Sequence, residues 1–179
     1  MHHLIVPGLN NSGPEHWQSF WEKSLPDTDR VEQENWDHPE KDDWISRLSR
    51  YVEKLQTDTV FVAHSLGSIT CVEWLLRFEN PHVKGAFLVA PADVDSVEII
   101  RDFAPVPLKK LPIPSLIVAS RNDPFVTFDR AEAFSKAWGS RLVDVGNLGH
   151  INAKTRLGEW PEGRRYLSEF ESSLSQAKH

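Results

Sequence analysis

T-V-F-V-A-H-S-L-G-S-I-T-C-V-E, residues Thr59 to Glu73, changes its hydrophobic period halfway along. Val60, Phe61 and Val62 form a β-branched and aromatic run, the composition of a strand buried on both faces. From Leu66 the apolar residues fall at Leu66, Ile69, Val72, Leu75 and Leu76, which is helical spacing. Between the two lies A-H-S-L-G, one residue away from the G-x-S-x-G nucleophile elbow. In that elbow a serine sits on a sharp strand-to-helix turn with its hydroxyl exposed and the next backbone N–H aimed at a developing oxyanion. Strand and helix approach closely there, so small residues are needed two before and two after the serine. Ala63 and Gly67 meet that need. A lone S-x-G would be a chance match, but strand, serine, glycine and helix in register point to the elbow.

Outward from this stretch, strands and helices alternate. His3 to Val6 reads as a buried strand stopped by Pro7-Gly8. Ser12, Pro14 and Glu15 read as a capping-box start for a helix carrying Trp17, Phe20 and Trp21. Arg30 to Glu34 is a weak, polar edge strand, followed by W-D-H-P at 36–39. Trp44, Ile45, Leu48, Tyr51, Val52 and Leu55 repeat as a second helix. Beyond the elbow helix, Ala86 to Ala90 and Ser115 to Ala119 read as strands. The irregular, proline-rich segment between them has room for one short helix, with Asp95 and Glu98 as a capping pair. A helix carrying Ala131, Phe134 and Trp138 stops at Gly139, Leu142 to Val145 is a sixth strand, and a last helix starts near Pro161. The pattern predicts a parallel sheet with helices on both faces, formed by one domain spanning 1–179. In such sheets function collects in the loops after the carboxyl ends of strands.

Bulk composition narrows the function classes. With 40% hydrophobic and 26% charged residues, the chain has the make-up of a globular protein with a real core. A net charge of −6 gives no footprint for nucleic acid or an anionic membrane, and no run approaches a membrane span. The single cysteine, Cys71, excludes an internal disulfide, and no histidine or cysteine cluster has metal-ligand spacing. The N-terminus turns at Pro7-Gly8 before a signal-peptide core could form. These features lead us to expect a cytoplasmic protein without metal or cofactor.

A serine hydroxyl needs a histidine base, itself oriented by a carboxylate. Of eight histidines, His150 lies just after the last strand in a glycine-bracketed loop and suits the order nucleophile, acid, histidine. His16 and His38 sit in loops at the same end of the sheet, whereas His64 should leave the tight turn in another direction. For the acid, Asp123 follows the fifth strand in S-R-N-D-P-F-V. Asp93 and Asp95, after the fourth-strand run, are its rivals. The oxyanion donors would be the backbone N–H groups of Leu66 and Leu9.

V-P-G-L at 6–9, H-W at 16–17, A-H-S-L-G at 63–67, N-D-P at 122–124 and G-H at 149–150 follow one another along the chain. In this the chain resembles the small serine hydrolases of the α/β-hydrolase superfamily that include retinoblastoma-binding protein nine and the YdeN-type bacterial proteins. The resemblance covers essentially the whole chain. It implies a compact α/β-hydrolase fold with about six mostly parallel strands in the order 2-1-3-4-5-6, and a triad of Ser65, Asp123 and His150. Ala63 departs from the first elbow glycine but remains small. Outside the H-W and W-D-H-P pieces no pocket residue matches, so the family's substrate choice is not transferred.

From position alone, the pocket should be small and aromatic. Asn10, His16, Trp36 and His38 would stand on one side, and Phe103, with Ile99 and Ile100 from the 92–113 segment, on the other; Phe125 follows the acid. The expected ligand is a small acyl ester cleaved by water, with no nucleic-acid or membrane partner and the protein a monomer or weak homodimer. Acyl transfer to another acceptor is the second enzymatic reading. A third is a protein-binding role, since Ile69-Thr70-Cys71-Val72-Glu73 loosely echoes a retinoblastoma-pocket motif, although it lies inside the elbow helix.

Overall fold

The computed structural model describes residues 1–176. Its strands are β1 (His2–Val6), β2 (Thr28–Arg30), β3 (Thr59–His64), β4 (Val83–Val89), β5 (Ser115–Ala119) and β6 (Arg141–Asp144). They form one sheet in the order β2-β1-β3-β4-β5-β6, and every neighbouring pair is parallel. The helices are α1 (Trp17–Ser24), α2 (Lys41–Val52), α3 (Leu66–Arg77), α4 (Phe128–Trp138) and α5 (Pro161–Gln176).

Side chains alternate across the sheet and divide the core in two. Ile5, Val60, Val62, Phe87, Val89 and Val118 pack beneath α1 and α5, against Trp17, Trp21, Leu167 and Phe170. Leu4, Val6, Phe61, Leu88 and Ile117 pack on the opposite face against α2, α3 and α4, through Trp44, Leu48, Ile69, Val72 and Phe134. β3 is buried along its whole length, as a central strand covered on both faces must be. Among the described residues no helix is long and apolar enough to cross a membrane.

Three local expectations are corrected. Helix α1 begins at Trp17 with His16 as its N-cap, because the Ser12 hydroxyl donates to the side chain of Gln18 and is not free to cap. The edge strand ends at Arg30: Val31 makes the last backbone bond to Ile5, and the Glu32 N–H turns away to the Tyr51 hydroxyl. Residues Glu98–Phe103 form a 3-10 turn, but Asp95 does not cap it; its carboxylate accepts from the Val106 N–H and from Arg130. The segment Ile69 to Glu73 is buried inside α3, where Glu73 is paired with Arg77. Burial alone pushes the Cys71 thiol well above its usual pKa, so it stays protonated and unreactive.

Candidate active site

Ser65 joins β3 to α3 with φ 54° and ψ −122°, a positive φ that costs a non-glycine residue about 1–3 kcal/mol. The surrounding contacts enforce it. A Cβ on Gly67 would lie 2.2 Å from the Val6 carbonyl oxygen and 2.4 Å from that of Pro7, so only glycine lets α3 start this close to β1. Ala63, in the position of the missing motif glycine, is fully buried and fits. The result is a hydroxyl lifted out of the turn at the carboxyl end of the central strand.

Ser65, His150 and Asp123 are brought together. The Ser65 hydroxyl donates to His150 Nε2 at 2.8 Å, and His150 Nδ1–H donates to the Asp123 carboxylate at 2.9 and 2.8 Å. Asp123 is held in turn by the Phe125 N–H at 2.8 Å. The histidine loop is pinned to the acid's loop: the Gly149 N–H donates to Asn122 Oδ1 at 2.7 Å and the Leu148 N–H to the Ser120 hydroxyl at 2.9 Å. The rival acids are otherwise employed. Asp93 takes two bonds from Arg130, at 3.0 and 2.9 Å, and Asp95 takes a third at 2.7 Å, so both clamp the loop after β4 to α4.

The turn after β1 lies against the elbow. A Cβ on Gly8 would stand 3.3 Å from the Leu66 nitrogen, so the turn passes directly over the start of α3. Leu66 is the first residue of α3, whose opening N–H groups have no intrahelical acceptor. Neither the Leu9 nor the Leu66 N–H has a hydrogen-bond partner among the described residues. The turn is fixed by the Asn10 N–H, which donates to the Trp36 carbonyl at 3.1 Å, and by the Asn11 N–H, which donates to the Gly8 carbonyl at 3.1 Å.

Around Ser65 opens a cavity of about 340 Å³ lined by Leu9, Asn10, His16, His64, Leu66 and His150, with Ala92, Val97, Ile99, Ile100 and Phe125 as its apolar wall. Of the expected pocket residues, Asn10, His16 and Phe125 line it. Trp36, His38 and Phe103 do not. Phe103 is 0% exposed and meets Trp44 edge-on at 5.9 Å, and Trp36 meets the same ring at 5.6 Å. Phe103 is buried in the core beside α2, and Trp36 packs partly buried against the same cluster, so neither forms a wall of the cavity. His38 lines a separate hollow with Gln33, Arg47 and Arg50.

Two buried polar residues support the site unforeseen. His64 was expected to leave in another direction; instead its Nε2–H donates to the His150 carbonyl at 2.9 Å, and the two rings lie 4.9 Å apart. Its pKa is held well below the usual value, chiefly by burial and then by His16 and His150. Gln18, fully buried on α1, donates to the Val62 carbonyl at 2.9 Å and so ties α1 to the strand that carries Ser65. A polar residue on an otherwise apolar helix face was the only signal for it.

The model of a family described as serine hydrolase matches residues 3–169. The YdeN protein of Bacillus subtilis (strain 168) is 24% identical over 159 residues, 82% of this chain and 84% of its own. Its crystal structure superposes with a TM-score of 0.82 over 96% of this chain and 100% of that one. A YdeN-like hydrolase of Pectobacterium atrosepticum is 35% identical, with a TM-score of 0.88 over 97% of this chain and 91% of that one. At 12% identity, the mouse alpha/beta hydrolase domain-containing protein 10 shares the fold alone, with a TM-score of 0.68 over 98% of this chain and 90% of that one. With the family's model running nearly from end to end and the same sheet beneath it, this chain belongs to the serine hydrolase family, in its small YdeN-like branch with the α/β-hydrolase fold.

Proposed function

We propose that the protein hydrolyses small acyl esters through Ser65, His150 and Asp123, by way of an acyl-enzyme. The observation that carries this is the unbroken line of hydrogen bonds from Ser65 through His150 to Asp123, each at 2.8–2.9 Å. As an ester carbonyl approaches, Ser65 Oγ attacks it while His150 Nε2 takes the hydroxyl proton. Asp123 keeps the imidazole in the Nδ1–H tautomer and stabilises the imidazolium that forms. The two unused N–H groups of Leu9 and Leu66 supply donors for the oxyanion, and the proton on Nε2 then passes to the departing alcohol. Water, activated by the same nitrogen, attacks the acyl-enzyme and releases the acid and Ser65.

A cavity of about 340 Å³ with one apolar wall suits a short acyl group. The natural setting we propose is the cytoplasm, with the protein a monomer or weak homodimer and the ester its only ligand. Turnover of p-nitrophenyl esters of graded length, beside a thioester and an amide, tests the reading. Ester turnover that disappears in Ser65→Ala supports it; activity confined to the amide, or unchanged in Ser65→Ala, would overturn it.

A further inference from the structure

His16 performs two tasks with its two nitrogens. As the N-cap of α1, Nδ1 accepts the Gln18 N–H at 3.1 Å. A neutral imidazole that accepts at Nδ1 carries its proton on Nε2. The ring is neutral because it is only 4% exposed, and its pKa is pushed down to about 3, first by burial and then by the Arg30 charge. Nε2–H is therefore a fixed donor.

That donor is buried and has no hydrogen-bond partner among the described residues. Trp160 Nε1 shares this condition, but only His16 belongs to the cavity around Ser65. Leaving a buried donor unpaired is costly, so an acceptor entering the cavity gains what the free protein forgoes. A cation is disfavoured by the N–H and by the Arg30 charge. A neutral or anionic oxygen fits both.

We propose that His16 Nε2–H is a specificity-determining donor that binds an oxygen acceptor carried by the substrate in addition to its scissile carbonyl. The acceptor is an ether, hydroxyl, keto or carboxylate oxygen on the acyl or the alcohol portion. This rests on the ester reading above and narrows its substrate class to oxygen-substituted esters. Sites built to hydrogen-bond a substrate group discriminate strongly against analogues lacking it, because their own polar groups are then left unpaired.

Two substrate pairs that exchange one methylene for oxygen test it. p-Nitrophenyl methoxyacetate against p-nitrophenyl butanoate probes the acyl portion, and methoxyethyl acetate against butyl acetate probes the alcohol. His16→Asn and His16→Ser are both good N-caps, so α1 keeps its start while the long-reaching donor is lost. The ether-to-alkyl ratio of kcat/KM, compared between wild type and variant, cancels the intrinsic reactivity of each ester. We expect it to fall about tenfold in one of the two pairs, in both variants. An unchanged ratio in both pairs overturns the proposal. A second readout needs no turnover: in isotope-labelled Ser65→Ala, the His16 Nε2–H resonance should move on adding an ether ester and stay still with its alkyl partner. A resonance that ignores both, as it would if the proton were already spent on the His64 ring 4.6 Å away, also overturns it. Esters left uncleaved by wild type would instead remove the hydrolase reading, and the resonance would still report on the donor.

Discussion

Gly8 and Ser65 stand so close that no side chain fits between them: a Cβ on Gly8 would lie 2.9 Å from Ser65 Cβ and 3.0 Å from the His64 carbonyl oxygen. Gly8→Ala must therefore push the turn away from the elbow by a few tenths of an ångström, and the Leu9 N–H moves with it. Loss of one oxyanion donor, the role proposed for this N–H, costs about a hundredfold or more in kcat. We expect a loss of that order with KM little changed, and a protein that still folds with a native circular dichroism spectrum. Unimpaired kcat in a folded Gly8→Ala would show that the turn plays no part in the chemistry.

The carboxylates in the loops after β4 and β5 should separate cleanly. Asp123→Asn is expected to lower ester turnover by several orders of magnitude, because an amide N–H facing Nδ1 favours the imidazole tautomer with its proton on Nε2, which cannot take the serine proton. Asp93→Asn weakens the part-buried pair with Arg130 and should lower stability by about 1–3 kcal/mol while leaving kcat within a few-fold. Urea denaturation and initial rates on the same preparations distinguish the two effects.

How far the sequence could be read shows in these same residues. The elbow was legible because its signal is local: a buried β-branched run, a helical period and small residues at fixed offsets. His150 and Asp123 were legible because the alternating pattern put both after strands at one end of the sheet. The aromatic wall was not. Trp36 follows the second strand, at the site's end of the sheet, but its partner Trp44 is on α2, and only three-dimensional packing shows that Trp36 and Phe103 both pack against that ring. β4 begins at Val83 rather than Ala86, since Gly85, which breaks the apolar run, is the gap that Phe170 and Leu174 of α5 fill. His16 as a cap was hidden by Ser12, a better capping residue in isolation that is bonded to Gln18.

The chain-length preference follows from the cavity's actual wall. Acetyl and butanoyl esters should turn over faster than octanoyl esters by about tenfold or more in kcat/KM, one extra methylene being worth about 1–3 kcal/mol when it does not fit. Phe125 is 41% exposed and meets the His150 ring at 4.6 Å, so Phe125→Ala should widen the tolerance toward longer chains. Trp36→Ala should lower stability and leave the preference unchanged. A preference shift from Trp36→Ala with none from Phe125→Ala would contradict this wall.

Acid should unfold the protein through its buried histidines. His16 titrates at about 3 in the folded state and His64 well below its ordinary value, whereas both titrate near 6.5 when unfolded. The unfolded chain therefore binds more protons below pH 6.5, and stability, full above that value, falls as the pH drops toward 3. Each histidine contributes a slope of up to about 1.4 kcal/mol per pH unit. Denaturant midpoints measured from pH 7.5 to 4.5 should fall accordingly, and less steeply in His16→Asn. Equal slopes in the two proteins would mean that His16 is not held neutral by the fold.

Covalent capture of the nucleophile tests the central claim most directly. A fluorophosphonate should add once to the wild-type protein, and peptide mapping by mass spectrometry should place the adduct on Ser65. Ser65→Ala, with an unchanged circular dichroism spectrum, should take up none, and His150→Ala should react at a rate lower by several orders of magnitude. Labelling of Ser65→Ala at the wild-type rate, or a wild-type adduct on any other residue, would contradict the assignment of Ser65 as the nucleophile.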